Sequence, residues 1–225
     1  MISSVRKIRN DVRYWWVLPV YGVFYCLIFM LLENRIHVSY TILQVPLDTI
    51  IPFCEYFIIP YELWFIYMAA ASIYLLFVNR DAKDYYRYTA SMIIGMSIFL
   101  FVSWIFPNMQ VLRPHYFAHD NIFVHLVQGI YNADTPTNIF PSIHVYNSMA
   151  MYLALRNCKS LKGKKWINLG ILALTVSIVL STMFLKQHST LDVVFALVLN
   201  FAVYETIYVP ERTPVVELQL LRKKA

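Results

Sequence analysis

Five uncharged stretches of 17 to 25 residues run through this chain, and a sixth apolar stretch is interrupted only near its ends, by Asp192 and Glu205. About 20 mostly apolar residues, within a range of about 17 to 25, allow an α-helix to cross the hydrocarbon of a bilayer. The sequence therefore predicts an all-α, polytopic membrane protein with six transmembrane helices in a bundle. Pro107 is expected to end the third helix. The predicted spans are 14–32, 63–79, 88–112, 135–155, 166–185 and 189–209.

The composition excludes a soluble globular domain. Hydrophobic residues make up 59% of the 225-residue chain and charged residues only 14%. A water-soluble fold of this composition would leave too much apolar surface exposed. The three cysteines are scattered and form neither a disulfide framework nor a pair at metal-binding spacing. We find no internal repeat, and we expect residues 1–225 to form a single membrane domain.

The basic residues are divided unevenly between the two predicted faces of the membrane. If both termini lie on one side, 16 of the 19 lysines and arginines lie on that side. Because cytoplasmic loops are enriched in Lys and Arg, this side is predicted to be cytoplasmic. The net charge of +6 then reflects topology and contacts with anionic membrane lipids, and not nucleic acid. Only Arg35, Arg113 and Lys186 lie on the extracytoplasmic side.

Two extracytoplasmic segments are predicted between the spans. Residues 33–62 hold three prolines among apolar and aromatic side chains, which predicts an interfacial loop with a short helix lying along the membrane. Residues 107–141 form a second, longer loop. Long ordered loops in compact domains tend to carry function.

Three short motifs bring ionisable residues to this extracytoplasmic side. Arg113 and Pro114 lie in the longer loop, residues 141–144 read Pro-Ser-Ile-His, and residues 186–192 read Lys-Gln-His-Ser-Thr-Leu-Asp. In the third motif the histidine and the aspartate are four residues apart, so a helix would place them on one face. An aspartate at the centre of a membrane helix costs about 2.5–3.5 kcal/mol even on a lenient scale, which favours a functional reason for its presence.

These residue types suit phosphoryl transfer. A histidine can attack phosphorus to form a phosphohistidine, which divides one difficult step into two easier ones. We assign His188 as the nucleophile, oriented by Asp192 through Nδ1–H, and His144 as the general acid and later the base. Arg113 is expected to bind phosphate oxygens through paired, planar donors. The predicted chemistry needs no metal and no cofactor.

Two further residues are expected to help bind the phosphate. Lys186 lies two residues before the proposed nucleophile and supplies a point charge. Ser142 follows a proline at an expected helix start, where its hydroxyl and the neighbouring N–H groups can bind an anion.

The three motifs resemble those of the type 2 phosphatidic acid phosphatase superfamily, which is also similar to the vanadium haloperoxidases. The signatures of that family are a Lys with Arg-Pro seven residues on, Pro-Ser-Gly-His, and Ser-Arg followed by His and then Asp. Six membrane spans agree with its membrane members. The resemblance covers roughly residues 106–200 and implies a phosphate contact for Ser181. The matching positions are Arg113-Pro114, residues 141–144, and Ser181 with His188 and Asp192.

The chain departs from these signatures at three positions. Phe106 replaces the lysine, Ile143 the glycine and Thr182 the arginine. Two of the three phosphate-binding cations of the family are therefore absent from their usual places, and Lys186 is the expected substitute. The Lys-Gln-His sequence at 186–188 resembles a divergent branch near inositol phosphorylceramide synthase.

Each motif also has a purely structural interpretation. Pro-Ser-x-His alone is typical of a capped helix start, and an isolated His–Asp pair can be a structural hydrogen bond or a proton relay. Ser181 suits helix packing as well as a phosphate contact, and Lys186 suits a lysine that extends to the membrane interface. A proton-relaying transporter or channel is disfavoured, because the ionisable residues cluster at one surface. Three motifs on one face together favour an enzyme.

The leading hypothesis is a lipid-phosphate phosphatase of a bacterial plasma membrane, with both termini cytoplasmic and the active site extracytoplasmic. Its expected substrate is a phosphorylated lipid such as phosphatidic acid or a prenyl diphosphate. Membrane lipids are the other expected partners, and no protein partner is indicated. The alternative is a phosphotransferase that moves a phospholipid or sphingolipid headgroup to an alcohol acceptor with the same His-His-Asp site.

Overall fold

Helices make up most of residues 13–79 and 81–209, which the computed structural model describes. Two very short strands, β1 (Thr41–Ile42) and β2 (Asn108–Met109), lie in the loops, and 3₁₀ turns cover Glu55–Phe57 and Lys159–Leu161. The helices are α1 (Val17–Glu33), α2 (Pro46–Ile50), α3 (Ile58–Ile73, continued by a π-helical turn at Tyr74–Asn79), α4 (Ala82–Ile105), α5 (Ile122–Ala133), α6 (Ile143–Asn157), α7 (Lys165–Phe184) and α8 (Thr190–Ile207).

Four helical segments are long and apolar enough to cross a membrane. They are Glu55–Asn79, Ala82–Ile105, Lys165–Phe184 and Thr190–Ile207, and they correspond to the second, third, fifth and sixth predicted spans. The first and fourth predicted spans contain α1, with 17 residues, and α6, with 15. Both are shorter than the other four, so the bundle of six spans stays a prediction.

The surface of these helices fits a bilayer. Large apolar side chains are exposed on α1, α4 and α8, among them Leu27, Leu31, Phe101, Trp104 and Phe201, whose exposed fractions are 56–72%. A soluble protein of this size rarely exposes so much contiguous apolar surface. The long apolar helices and their apolar exterior make this an integral membrane protein.

The fourth predicted span begins eight residues later than expected. We predicted a helix from residue 135, but residues 135–142 are non-helical and the helix begins at Ile143. The reason is that this segment bonds to the preceding loop: Gln110 N donates to Pro136 O at 2.9 Å, and Asn138 N donates to Asn108 O at 2.7 Å. The absence of charge alone does not distinguish such a strand-like segment from a helix. The prediction that Pro107 ends the third helix is confirmed, because α4 ends at Ile105, two residues before this proline.

Helix α6 lies at the centre of the fold, packed against α3, α4, α7 and α8. Its Tyr146 is almost fully buried, and the tyrosine hydroxyl donates to Ser91 O of α4 at 2.8 Å. The main-chain carbonyl of Tyr146 accepts from Asn200 Nδ2 of α8 at 3.0 Å. At Gly95 of α4 an added Cβ would overlap the Tyr146 ring, so the absence of a side chain allows the two helices to approach closely. These contacts fix the position of α6.

Three loop segments meet at one end of the bundle, which we call the loop end: residues 34–57, 106–142 and 185–189. The parallel strands β1 and β2 join the first segment to the second, with Thr41 opposite Asn108 and Ile42 opposite Met109. The predicted short helix of the first segment is present as α2. The second segment contains the 12-residue helix α5, which the sequence did not lead us to expect. All three predicted motifs lie at this end.

The predicted orientation across the membrane is not tested by the fold. The basic residues before Arg13, Arg80, and those after Pro210 lie outside the described residues. The assignment of the loop end to the extracytoplasmic side therefore stays a prediction.

Candidate active site

The imidazole rings of His144 and His188 face each other at the loop end. Their centroids are 5.6 Å apart and their planes are inclined by 60°. His144 is the second residue of α6, and His188 lies two residues before α8, so the starts of two packed helices bring the rings together. The α6 start is fixed by Ser142, whose side chain accepts from Val145 N at 3.4 Å, as predicted for a helix cap.

Asp192 holds the ring of His188. Its Oδ2 lies 3.3 Å from His188 Nδ1 and accepts from Ser189 N at 2.9 Å. Ser189 caps α8, so the carboxylate forms half of a capping box in addition to its histidine contact. The side chain is completely buried, and its main-chain carbonyl accepts from Ser142 N at 3.3 Å. The two helix starts that carry the histidines are thus bonded directly to each other.

Arg113 reaches the same region from the second loop segment. Its Nη1 donates to the carbonyls of Tyr131 at 3.1 Å and Asp134 at 2.8 Å, and its Nη2 donates to Gln187 Oε1 at 2.7 Å. The guanidinium also lies over the Tyr131 ring, 4.5 Å from its centroid. Burial lowers the pKa of Arg113 from its ordinary value, and the nearby Asp134 carboxylate opposes this shift.

Four polar nitrogens of this region are buried without a hydrogen-bond partner among the described residues, together with one acceptor, Asp192 Oδ1. The nitrogens are Arg113 Nε, Gln187 Nε2, Trp64 Nε1 and His144 Nδ1. The first three are N–H donors in any protonation state, and His144 Nδ1 can be one. Buried donors without partners are costly in a folded protein. Their concentration beside the two histidines is the pattern expected for an anion-binding site.

An apolar cavity of about 370 Å³ adjoins His144. The His144 ring forms part of its wall and packs against Tyr61 and Trp64, with centroid distances of 4.9 and 4.4 Å. The other lining residues are mostly apolar and come from α1, α3, α5 and α6: Tyr25, Phe29, Glu62, Phe65, Ile130, Ala133, Asp134 and Ile143. The catalytic histidine candidate is therefore bordered by polar donors and by an apolar space.

A comparison with models of known protein families shows which superfamily the chain belongs to. The family model described as PAP2 superfamily matches residues 84–210, which is more than half of the chain. The chain belongs to the PAP2 superfamily. Members of this superfamily are generally phosphatases or phosphotransferases that act on phosphorylated substrates. Comparisons with curated proteins and with solved structures gave no match.

The PAP2 match confirms the resemblance seen in the sequence at the level of the superfamily. The finer resemblance to the inositol phosphorylceramide synthase branch, carried by residues 186–188, is not confirmed by it. The match begins at residue 84, so α1, α2 and α3 lie outside the matched region. The contacts that α1, α2 and α3 make with the PAP2 motifs therefore involve residues outside the family match.

Lys186 occupies a different environment from the one predicted. We expected its ammonium to replace a missing PAP2 cation at the phosphate. Instead, Nζ donates to the main-chain carbonyl of Asp48 at 2.6 Å and to that of Ile51. Burial lowers the pKa of Lys186, and the Asp48 carboxylate opposes that shift. Its backbone is left-handed, with φ of 53°, and this residue turns the chain from α7 towards α8.

Both predicted phosphate-binding serines are fully buried. Ser142 Oγ accepts from Val145 N as the cap of α6, which leaves its O–H as a donor, so its phosphate contact stays a prediction. Ser181 Oγ donates to Ile178 O at 2.6 Å within α7, so its hydroxyl proton is bound inside its own helix. Thr182, at the position of the PAP2 arginine, accepts on its main-chain carbonyl from the N–H groups of Gln187 and His188 at 2.9 and 3.0 Å. These residues shape the main chain around His188.

Sequence reasoning missed several residues that contact the motif residues, among them Gln187, Gln110 and Asp48. Gln187 accepts from Arg113, and Gln110 Nε2 donates to Lys186 O at 2.9 Å. Asp48 accepts from Ser189 and Thr190, at the start of α8. The sequence offered one indication of a role for Asp48. Its carboxylate lies in residues 36–61, a segment without lysine or arginine to pair with it. Such a carboxylate needs a partner from elsewhere in the fold if it is buried.

Proposed function

We propose that this PAP2 protein is a membrane lipid-phosphate phosphatase that hydrolyses a phosphorylated lipid through a phosphohistidine on His188. The observation that carries the proposal is the pair of imidazoles at 5.6 Å, one of which is bound to a buried carboxylate. At this spacing the two rings are close enough to act on the same phosphoryl group. Phosphate-ester hydrolysis is among the slowest uncatalysed reactions, so both a nucleophile and charge stabilisation are required.

In the first step His188 Nε2 attacks phosphorus, and the bond from phosphorus to the lipid oxygen breaks. Asp192 accepts from Nδ1–H, which leaves the Nε2 lone pair free and stabilises the positive charge that develops on the ring. His144 gives a proton to the departing lipid alkoxide. In the second step His144 removes a proton from water, which attacks the phosphohistidine, and inorganic phosphate leaves as the P–N bond breaks.

In this proposal the phosphate oxygens are bound by two of the buried donors that have no partner among the described residues. Arg113 Nε and Gln187 Nε2 are assigned this role, and their mutual hydrogen bond at 2.7 Å holds both side chains in place. Arg113 thereby keeps its predicted function. We reassign Lys186 and Ser181 to holding the main chain around the histidines, because their side-chain donors are bonded to main-chain carbonyls. Ser142 keeps its predicted phosphate contact in this proposal, because its hydroxyl oxygen only accepts a bond in the described structure and its O–H remains a donor.

A lipid substrate is supported by the apolar cavity next to His144. The leaving group must lie beside the residue that protonates it, so the hydrocarbon chain of the leaving alcohol enters this cavity. Phosphatidic acid meets these requirements with a diacylglycerol alkoxide as the leaving group. A prenyl diphosphate meets them with the prenyl monophosphate as the leaving group, released when the P–O–P bond to the terminal phosphorus breaks, and the proposal covers both.

The same aromatic surroundings favour a phosphotransferase as the second candidate. Tyr61 and Trp64 pack against the ring that must activate the acceptor, and an alcohol of another lipid would occupy such a surface more readily than water. In that case a lipid hydroxyl attacks the phosphohistidine, and the headgroup phosphate is transferred to it. Both activities share the first step.

The test is an assay of purified protein in detergent micelles with dioctanoyl phosphatidic acid and farnesyl diphosphate, with and without diacylglycerol or ceramide. The phosphatase predicts free phosphate without an added alcohol. Phosphate transfer to lipid only when an alcohol is present would establish the phosphotransferase. Absence of turnover with every lipid phosphate, by folded protein, would reject both.

The location of the site is also part of the proposal. The distribution of basic residues supports cytoplasmic termini and a site on the extracytoplasmic side of the membrane. The proposal places the protein in a bacterial plasma membrane. Membrane-impermeant labelling of a cysteine introduced at exposed Tyr116, in the second loop segment, tests this orientation in intact cells. Labelling only after the cells are lysed would place the loop end in the cytoplasm.

A further inference from the structure

We propose that Asp48 is a positioning residue for the catalytic loop: it holds the start of α8, and with it His188, from a segment outside the PAP2 match. The inference rests on the proposed function, because it assigns a role relative to the nucleophile of that reaction. Asp48 lies in α2, in the first loop segment. Helix α3 separates this segment from the residues that the PAP2 model matches. It does not contact the substrate itself.

Asp48 binds the first turn of α8 through both carboxylate oxygens. Oδ1 accepts from Thr190 N and from Thr190 Oγ1, each at 2.7 Å, and Oδ2 accepts from Ser189 Oγ at 2.6 Å. Oδ2 also accepts from Val45 N at 2.9 Å, which fixes the carboxylate to its own helix start. Four short hydrogen bonds satisfy the acceptor capacity of a carboxylate. The side chain is 3% exposed.

A second attachment lies on the other side of His188. Lys186 Nζ donates to the carbonyls of Asp48 and Ile51, at the two ends of the last turn of α2. Residues 186, 189 and 190 are therefore all bonded to the α2 segment, and only Gln187 and His188 lie between them. The left-handed conformation of Lys186 shows that the turn is sharp.

Ser189 connects Asp48 to the catalytic pair. Its hydroxyl donates to Asp48, while its main-chain N–H donates to Asp192 Oδ2, the oxygen that also contacts His188 Nδ1. A shift of Ser189 would displace the oxygen that orients the imidazole. The two carboxylates lie at the N-terminus of an 18-residue helix, where the helix dipole stabilises negative charge. Asp48 thus acts through Ser189 and Asp192.

An amide cannot replace this carboxylate. In Asp48→Asn one oxygen becomes an NH₂ group, and this group must face either Thr190 N–H or Val45 N–H, which are donors themselves. At least one buried donor loses its acceptor, and the α8 start shifts or frays. Misplacement of a reacting group by about 1 Å can lower the rate by about 100-fold. The expected effect is on kcat, because Arg113 and the apolar cavity, which bind substrate, are not touched.

The experiment compares wild type, Asp48→Asn, Ser189→Ala and the double variant, with Asp120→Asn as the matched control. Asp120 is an exposed aspartate of the second loop segment that contacts only His125 in the described structure. With dioctanoyl phosphatidic acid, Asp48→Asn should have a kcat about 10- to 100-fold below wild type and a KM within about threefold of it. The double variant should lose less than the product of the single losses, because both changes remove the same connection.

Amide hydrogen exchange gives a second measurement that does not depend on turnover. Peptides covering residues 186–192 should exchange faster in Asp48→Asn, and peptides from α4 should not change. Wild-type exchange in that segment, or a kcat within twofold of wild type, overturns the positioning role. If His188→Ala retains full turnover, the proposed function fails instead, and faster exchange in Asp48→Asn would still establish the structural attachment.

Discussion

The rings of His144 and His188 lie 5.6 Å apart, although the two residues stand at the starts of different helices. The rest of α6 and the whole of α7 separate them in the sequence. The arrangement depends on a direct bond between the two helix starts, from Ser142 N to Asp192 O. The rings are inequivalent. His188 is paired with a carboxylate, whereas His144 lies against aromatic rings and has no partner on Nδ1 among the residues that the structure covers. This asymmetry is the basis for assigning one ring as nucleophile and the other as acid.

Removal of the nucleophile should abolish turnover. His188→Ala is expected to lower kcat for dioctanoyl phosphatidic acid by about 10³-fold or more, because the nucleophile that is held by the Asp192 carboxylate is lost. Phosphate release measures the effect. His115→Ala, at an exposed histidine of the second loop segment, is the control and should behave like wild type. Turnover above a tenth of the wild-type rate in His188→Ala would rule out this nucleophile.

Removal of the acid should depend on the leaving group. His144→Ala is expected to lose about 10²- to 10⁴-fold in kcat with a lipid phosphate, whose alkoxide needs a proton. With p-nitrophenyl phosphate, whose phenolate leaves without protonation, the first step should be affected far less. Burst kinetics with both substrates measure that step. Equal losses with the two leaving groups would contradict the role of His144 as an acid.

The guanidinium of Arg113 should not be replaceable by an ammonium. Arg113→Lys keeps the charge but cannot contact Tyr131 O, Asp134 O and Gln187 together while also presenting Nε. We expect vanadate inhibition to weaken by about tenfold or more, which corresponds to about 1.4 kcal/mol. Lys83→Arg is the control for a change of cation type. Lys83 lies in the first turn of α4, at the end of that helix away from the loop end. Unchanged vanadate affinity in Arg113→Lys would remove this residue from the phosphate site.

The close contact between α4 and α6 predicts a stability effect. Gly95→Ala inserts a methyl group into the Tyr146 ring and should destabilise the protein by about 1–3 kcal/mol through overpacking. Gly170→Ala is the matched control, because a Cβ at that helical glycine of α7 meets open space. It should be neutral or slightly stabilising, by up to about 1 kcal/mol. Thermal unfolding in detergent compares the two, and equal melting temperatures would contradict the packing described here.

The Asp48 attachment should weaken in acid. Burial would raise the pKa of Asp48, but hydrogen bonds from Ser189, Thr190 and Val45 outweigh it and hold the pKa below its ordinary value. Because the pKa of Asp48 is lower in the folded state than in the unfolded state, the charged carboxylate stabilises the fold. This stabilisation is fully present above the unfolded-state pKa of about 3.9. It is lost as the pH falls through the folded-state pKa. The charged neighbours are Lys186 and Asp192. The difference in unfolding temperature between wild type and Asp48→Asn should therefore be constant from about pH 7 to 5 and shrink below about pH 4. A difference that grows in acid would contradict this sign.

Local sequence patterns predicted much of the fold. Long apolar segments identified the four helices long enough to span a membrane, Pro107 marked the end of α4, and Ser142 marked the start of α6. The spacing of His188 and Asp192 correctly predicted their contact. Each of these features depends on residues within one helix turn or at one helix end, where periodicity and capping chemistry operate.

The contacts at the site that the sequence did not predict are long-range. Asp48 and Thr190 are 142 positions apart, and Lys186 is 135 positions from Ile51. No local spacing encodes such contacts. Residues 135–142 were assigned to a helix because they lack charge, yet Asn108 binds them: its Oδ1 accepts from the N–H groups of Ile139 and Phe140. Where backbone groups are satisfied by a distant side chain, apolar composition misidentifies the local structure.

The phosphohistidine is the central claim, and trapping it tests that claim most directly. Purified protein in excess over ³²P-labelled dioctanoyl phosphatidic acid is quenched in alkali within the first turnover and digested, and the labelled peptide is sequenced. We predict an acid-labile, alkali-stable phosphate on the peptide that contains His188, present in wild type and in Asp120→Asn and absent in His188→Ala. Rapid release of labelled phosphate with no labelled protein at any time, or with the label on another residue, would contradict the mechanism.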